Sequence, residues 1–264
     1  MIIVNGVEVT QEMFGDGTLK CEALPGRCIC ESNEIRWLYD NDAELFTLYC
    51  IVRDIQNRLP HAENILNMPY IPHARQDRNV SGRLFTLKSF AEIINSLNFS
   101  VVVVLDPHSD VSTALLNRCF CAFEDRLSYE ATAGADAIMF PDAGAAKKYS
   151  RSGLPAIIGN KCRNEEGRIV SYELMNFEEG TKRVVIRDDI CSYGGTFVAA
   201  AKALKEHGVE HITLIVSHCE NNITKGEVFN YVDKVITTDS ICTIEHPKLE
   251  IAVKYRTPEG YPNV

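Results

Sequence analysis

One stretch limits the folds open to this chain more than any other: Arg183 to Cys219, RVVIRDDICSYGGTFVAAAKALKEHGVEHITLIVSHC. Val184 to Ile186 is a β-branched run without polar interruption, the pattern of a strand buried in a parallel sheet. Two acids follow, Asp188 and Asp189. Cys191-Ser192-Tyr193-Gly194-Gly195-Thr196 then forms a loop in which the paired glycines allow positive φ and close backbone approach. Val198, Ala201 and Leu204 recur at helical spacing, Gly208 closes that helix, and Ile212 to Val216 begins the next strand. The unit is βαβ, so the chain is expected to be α/β. Its Gly-rich turn lies at a helix N-terminus, where free N–H groups and the helix dipole favour an anion.

Neither G-x-G-x-x-G nor G-x-x-x-x-G-K-[ST] is present, so the dinucleotide fingerprint and the P-loop do not apply. Two adjacent acids ahead of a phosphate loop suit a different ligand. Carboxylates accept hydrogen bonds from vicinal hydroxyls while the loop holds a phosphate, which together describe a ribose phosphate. An acidic strand end followed by an ordinary glycine turn is the competing reading.

The chain has 264 residues and a formal net charge of −9, with 45% hydrophobic and 24% charged residues. That length allows one large or two medium domains with a substantial core. The negative balance argues against a nucleic-acid surface, which needs a basic footprint. The N-terminal stretch lacks the basic region and apolar core of a signal peptide, and no apolar run reaches a membrane span's length, so a cytoplasmic protein without a membrane partner is expected. Ten cysteines are scattered along the chain. Cys28/Cys30 and Cys119/Cys121 are C-x-C pairs without zinc-site spacing, and reduced thiols are expected.

Residues 2 to 36 read as short strands, with a turn at Phe14-Gly15-Asp16-Gly17-Thr18. Asn41 to Leu59 is expected to be a helix capped by Asn41 or Asp42, its apolar face formed by Leu45, Leu48, Ile51, Val52 and Ile55 and its end set by Pro60. A brief strand over Asn67 to Ile71 enters Pro72-His73-Ala74-Arg75-Gln76-Asp77-Arg78, a charged loop continuing to Arg83. A helix over Leu87 to Leu97 and a buried strand over Val101 to Leu105 follow, ending in Asp106-Pro107-His108-Ser109. A His at the carboxyl end of a parallel strand sits where open α/β sheets bind ligands. A helical connector over Leu127 to Ala133 leads to a strand at Ala137 to Phe140 and a second strand-to-helix turn around Asp142. The strand Ala156 to Gly159 then runs into a basic loop with Lys161 and Arg163, a lid candidate. Later segments are a helix or loop near Lys225 to Phe229 and strands at Lys234 to Thr237 and Leu249 to Val253.

DDICSYGGT resembles the phosphoribosyl pyrophosphate loop of type I phosphoribosyltransferases and of ribose-phosphate pyrophosphokinases. PYIPHARQDR, VLDPHS and FPDAGAAK, in this order, also resemble the pyrophosphokinases, and the first is a motif the transferases lack. From about Phe14 to Ile241 the chain is similar to that family as a short, divergent member. The resemblance implies two tandem phosphoribosyltransferase-like domains, each a mostly parallel sheet flanked by helices, with a boundary between 1–125 and 126–264. It implies an ATP site at Phe14, Asp16, Arg75, Gln76, Arg83 and His108, with Phe14 and Asp16 contributed to a neighbouring subunit. His108 and Asp142 match the residues that hold Mg2+, and Lys161 and Arg163 match the catalytic lid pair. Asp188 and Asp189 match the acids on the ribose hydroxyls. Ser192, Tyr193, Gly194, Gly195 and Thr196 match the cradle of the 5-phosphate. The implied reaction is transfer of the β,γ-diphosphoryl group of ATP to the C1 hydroxyl of a ribose phosphate, with release of AMP. Homo-oligomers, hexamers built from dimers, are implied as well.

The departures are informative. Family loops read D-T-x-G-T, and a tyrosine, Tyr193, stands here where a small hydroxyl faces the 5-phosphate. A 5-extended acceptor such as ADP-ribose therefore stands beside ribose 5-phosphate, and would place the product in NAD-type nucleotide synthesis. The chain also ends without the family's C-terminal helix and final strand, which puts regulation by ADP or phosphate in doubt, and Val80 lies near where an ATP-binding acid is expected. A phosphoribosyltransferase of nucleotide salvage and a non-catalytic regulatory relative are the alternatives.

Overall fold

The structure, a computed structural model, describes residues 1–80, 82–123, 127, 132–149, 153–163 and 169–257; the side chains at 162, 163, 169 and 170 lie outside the description. The expected connector over Leu127 to Ala133 falls largely outside the described residues, as do Ser81, Asn164, Glu165 and the side chain of Arg163. The chain divides into two compact units, Met1–Phe123 with Tyr255–Val264, and Glu124–Lys254.

The first unit is a sheet of six strands. These are β1 (Ile2–Val4), β2 (Val7–Glu8), β5 (Ser32–Trp37), β6 (Glu63–Met68), β7 (Val101–Leu105) and β8 (Cys119–Ala122), in the order β2-β1-β5-β6-β7-β8. From β5 to β8 the pairing is parallel, while β1 and β2 add an antiparallel edge. Separately, β3 (Gln11–Met13) and β4 (Leu19–Cys21) form a hairpin. Helix α1 (Ala43–Arg58) buries Leu48, Ile51, Val52 and Ile55, four of the five residues of the expected apolar face, and Leu45 packs at its margin. Its first N–H is capped from one residue further out than Asp42, because Asn41 Oδ1 accepts from Ala43 N at 3.0 Å. Helix α2 (Thr86–Ser96) buries Leu87, Phe90, Ala91 and Ile94 on the same core.

Two sequence expectations need correction here, and two elements were not foreseen. The strand placed at Asn67 to Ile71 is β6 and lies earlier, because Leu66 and Met68 face the core while Pro69 onward belongs to the loop. A short helix α3 (Asp110–Leu115) and β8 complete the unit and carried no clear periodic signal. The chain from Tyr255, expected with the second half, is grouped with the first unit. There the buried Arg36 guanidinium donates to the carbonyls of Tyr255 at 3.3 Å and Thr257 at 3.1 Å, and Arg256 pairs with Asp40 at 2.7 Å.

The second unit is a seven-stranded sheet of β9 (Ala137–Phe140), β10 (Ala156–Arg163), β11 (Ile169–Met175), β12 (Arg183–Cys191), β13 (His211–Cys219), β14 (Lys234–Thr238) and β15 (Leu249–Val253). Its order is β11-β10-β9-β12-β13-β14-β15, parallel throughout except for the β10/β11 hairpin. Helices α4 (Ala143–Tyr149), α5 (Gly195–Glu206) and α6 (Val228–Tyr231) follow β9, β12 and β13. Val184, Ile186, Ile212, Leu214 and Val216 form its core with Phe197, Ala200, Ala201 and Leu204 of α5. The central strand pair is longer than the sequence reading placed it, since β12 continues through both acids to Cys191 and β13 to Cys219. Lys161 and Arg163 stand on a strand and not in a basic loop: β10 runs on past Gly159 because β11, unrecognised in the sequence, pairs with it.

Candidate active site

In the second unit, the carboxyl ends of β9 and β12 bring three acids together. Asp188 and Asp189 stand near the carboxyl end of β12, and Asp142 follows β9 at the start of α4. Asp142 is divided between two duties. Its Oδ1 accepts the N–H of Ala145 at 3.0 Å, capping α4, and its Oδ2 accepts Lys161 Nζ at 2.8 Å. Burial alone would raise its pKa, but the Lys161 ammonium and the N–H groups of α4 hold the carboxyl below the ordinary range. The predicted metal-holding acid and the predicted lid lysine are therefore partners in an ion pair.

Asp188 goes the other way. Burial, and then the neighbouring charge of Asp189 with a smaller part from Asp142, push it up to about 8. Like charges in one site cannot all ionise without cost. Beneath the acids lies Arg187, buried at 3% exposure, whose guanidinium donates to Ser217 Oγ at 2.9 Å and to the carbonyl of Asp188, with the Tyr149 ring 4.2 Å away. It braces the end of β12 against β13. Tyr172 stands opposite Lys161 in the hairpin register, and its hydroxyl donates to the carbonyl of Pro141 at 3.1 Å. Burial, with Asp142 and Asp188 nearby, raises the phenol and keeps it protonated. A Cβ at Gly159 would stand 2.1 Å from that hydroxyl, so only glycine leaves room for it.

After β12 comes the expected cradle. Gly194 takes φ 78 at the N-cap of α5, and a Cβ there would lie 1.9 Å from Val228 Cγ2. Gly195 has open space where its Cβ would be, and Val198 N begins the helix ladder by donating to the Gly194 carbonyl at 2.9 Å. The N–H groups of Gly194, Gly195 and Thr196 have no acceptor among the described residues. Such a row of free donors at a helix start is suited to an anion. Ser192 Oγ donates to Glu220 Oε2, and Tyr193 is 55% exposed. Under the loop, the buried thiols of Cys191, Cys219 and Cys242 adjoin one another. Contact with Cys191 raises the Cys219 thiol, and contact with Cys219 raises that of Cys242. All nine described cysteines are free thiols.

The remaining predicted residues are in the first unit. Arg75, Gln76 and Arg83 are exposed on the loop after β6, where Gln76 Oε1 accepts from Thr86 Oγ1 at 2.6 Å and Arg83 N donates to the Val80 carbonyl at 2.8 Å. His108 is exposed after β7, near the buried Asp77. The Arg78 guanidinium, against the effect of burial, holds the Asp77 carboxyl below the ordinary range, with smaller help from Ser109 and His108. Phe14 is 54% exposed at the tip of the β3/β4 hairpin, and Asp16 Oδ1 closes that turn by accepting the N–H of Thr18 at 2.9 Å and its hydroxyl at 2.7 Å. Among the described residues no three His, Cys, Asp or Glu side chains are placed to hold a metal by themselves, and no helix is long and apolar enough to cross a membrane.

Sequence reasoning passed over Asp77, Tyr172, Arg187 and Glu220. Arg187 was open to detection, since a cation directly after a buried β-branched run implies a partner. Glu220 carried no such signal, being one polar residue in a polar loop.

Comparison with known proteins agrees with this architecture. The family described as "Phosphoribosyl transferase domain" matches residues 125–250. A ribose-phosphate pyrophosphokinase of Marinomonas sp. is 29% identical over 197 residues, covering 66% of this chain and 59% of its own length. That of Mycoplasma pneumoniae is 31% identical over 163 residues, covering 57% of this chain and 49% of its own. The chain thus spans about half to three fifths of those two relatives. The crystal structure of the phosphoribosylpyrophosphate synthetase from Mycobacterium smegmatis superposes with a TM-score of 0.70 over 94% of this chain and 86% of its own, at 17% identity, a likeness of fold.

Proposed function

Since the chain belongs with the ribose-phosphate pyrophosphokinase family and has the type I phosphoribosyltransferase fold, we propose that it is a diphosphokinase acting on a 5-phosphorylated ribose. The C1 hydroxyl oxygen of the sugar bonds to the β-phosphorus of ATP, the bond from that phosphorus to the oxygen bridging to the α-phosphorus breaks, and AMP leaves with the electron pair. The hydroxyl proton passes to solvent. The observation that carries this reading is the gathering of Asp142, Asp188 and Asp189 beside a loop of free N–H groups. Carboxylates receive the ribose hydroxyls and the N–H groups receive the 5-phosphoryl group.

In such a transfer the protein supplies mainly position and charge. Lys161, already beside Asp142, would move its ammonium to the transferring group, with Arg163 as its companion. Arg75, Gln76, Arg83 and His108 would hold the nucleotide, joined by Phe14 and Asp16 of a second copy in a dimer-based homo-oligomer. A magnesium ion takes one or two carboxylates and otherwise phosphate oxygens and water, and Asp142, held below the ordinary carboxylate range, suits that donor set, while the family resemblance also assigns His108 to the ion. Bound there, Mg2+ would withdraw charge from the phosphoryl oxygens. A cytoplasmic setting suits an enzyme using ATP.

Two acceptors remain open, ribose 5-phosphate and a 5-extended sugar such as ADP-ribose, and the exposed Tyr193 ring at the loop favours the second. Release of AMP from MgATP in parallel reactions with each acceptor tests both the activity and the acceptor. AMP with either supports the diphosphokinase reading and names its substrate; no AMP with both would overturn it in favour of a transferase or a regulatory role.

A further inference from the structure

We infer that Glu220 determines the charge of the 5-substituent that the loop accepts, disfavouring a terminal phosphate dianion and favouring a singly charged phosphodiester that continues into a larger group. The inference rests on reading Ser192 to Thr196 as the cradle of the 5-phosphoryl group.

Glu220 is the first residue beyond β13, whose last residue, Cys219, pairs in register with Cys191 at the end of β12. Its backbone N–H donates to the Cys191 carbonyl at 2.8 Å, so its position is tied to the first residue of the loop. Its carboxylate accepts the hydroxyl proton of Ser192, with Asn222 Nδ2 at 3.4 Å from the same oxygen. A serine hydroxyl has one proton to donate. With that proton directed at Glu220, Ser192 offers an incoming phosphate only lone pairs. The donors left to the anion include the N–H groups of Gly194, Gly195 and Thr196.

The second effect is coulombic. The carboxylate stands one hydroxyl away from the cradle, and repulsion scales with the charge of the guest. A phosphate monoester carries about −1.5 to −2 at neutral pH and a diester close to −1, so Glu220 acts more strongly against the monoester. Neighbouring features suit the diester guest. Tyr193, 55% exposed, offers a ring for a group extending beyond the phosphate, and a Cβ at Gly226 would lie 2.0 Å from the Tyr193 carbonyl, so glycine there lets the following loop close against this segment.

Calorimetric titration of the whole protein with ribose 5-phosphate and with ADP-ribose, without ATP and hence without turnover, separates a charge role from a structural one. Glu220→Gln keeps the shape and the hydrogen-bond acceptor but removes the charge. It is expected to tighten ribose 5-phosphate on the order of 10-fold and to change ADP-ribose by no more than about 3-fold. Glu220→Ala, which also frees the Ser192 proton, should move the ratio of the two affinities in the same direction, and serves if the Gln variant does not fold. An unchanged ratio in both variants would overturn the role of Glu220 while leaving the cradle reading intact. Failure of both ligands to bind any of the proteins would overturn the cradle, and the inference with it.

Discussion

Asp188 shows how far a residue's chemistry depends on company that only the fold supplies. In the unfolded chain it is an ordinary carboxyl with a pKa near 4; in the folded second unit burial and Asp189 push it up to about 8. Between those two values the folded protein keeps a proton that the unfolded chain has lost, so stability falls as pH rises from about 4 to about 8. Below the lower value the two states bind the proton alike, and above the higher one the penalty is complete. Asp188→Asn cannot ionise and is expected to flatten that decline in metal-free protein, gaining on the order of 1–2 kcal/mol at pH 8. Melting temperatures of both proteins across pH 5 to 8 check this, and parallel curves would contradict it. That two adjacent acids ahead of a glycine-rich loop suit a polyol ligand was legible from the sequence. That Asp188 is raised, and that Asp142 and Lys161 pair, was not, because burial comes only with the fold and the paired residues lie 19 positions apart.

The elements most legible in the sequence were those with an unbroken local pattern. Helices α1 and α2 announce themselves by apolar residues three and four apart, and β7 and β12 by β-branched runs. The elements missed were those whose reason is a neighbour. Strand β11 alternates weakly and exists because β10 offers an edge, and β10 continues through polar residues because β11 pairs with it. The α5 entry combines both kinds of cause. Glycine-rich character was readable, but the separate demands on the two glycines were not: Gly194 is packed against Val228 with positive φ, while Gly195 is open. Gly194→Ala must therefore meet a clash and a left-handed backbone together, and is expected to destabilise the second unit by about 2–4 kcal/mol. Gly195→Ala, without a packing conflict, is expected to cost far less stability. Urea denaturation of the two variants reads the difference, and equal losses would show that packing on α6 is not what requires glycine.

At the scale of the molecule, two units carry separate cores, each around its own largely parallel sheet. The predicted residues divide between them, the nucleotide set in the first and the sugar set in the second. The exposure of Phe14, 54% on a hairpin whose own turn is closed by Asp16, leaves its ring available to a second copy of the chain. If that ring completes a nucleotide site, activity belongs to the oligomer. Phe14→Ala should raise the KM for ATP about 10-fold or more with little change in melting temperature, and activity should sediment only with assembled protein. An active monomer would refute the shared site. The family resemblance, the α/β class, the acid pair and the glycine-rich loop could all be read from the sequence alone. Each is carried by short contiguous motifs, within which chain connectivity itself supplies the spacing. The Lys161–Asp142 pair, the raised Asp188, the Arg187 brace and the grip of Glu220 on Ser192 were decided only by the tertiary structure. Each depends on burial or on residues far apart in the chain, and these come into being only when the parallel sheet brings its strand ends to one edge.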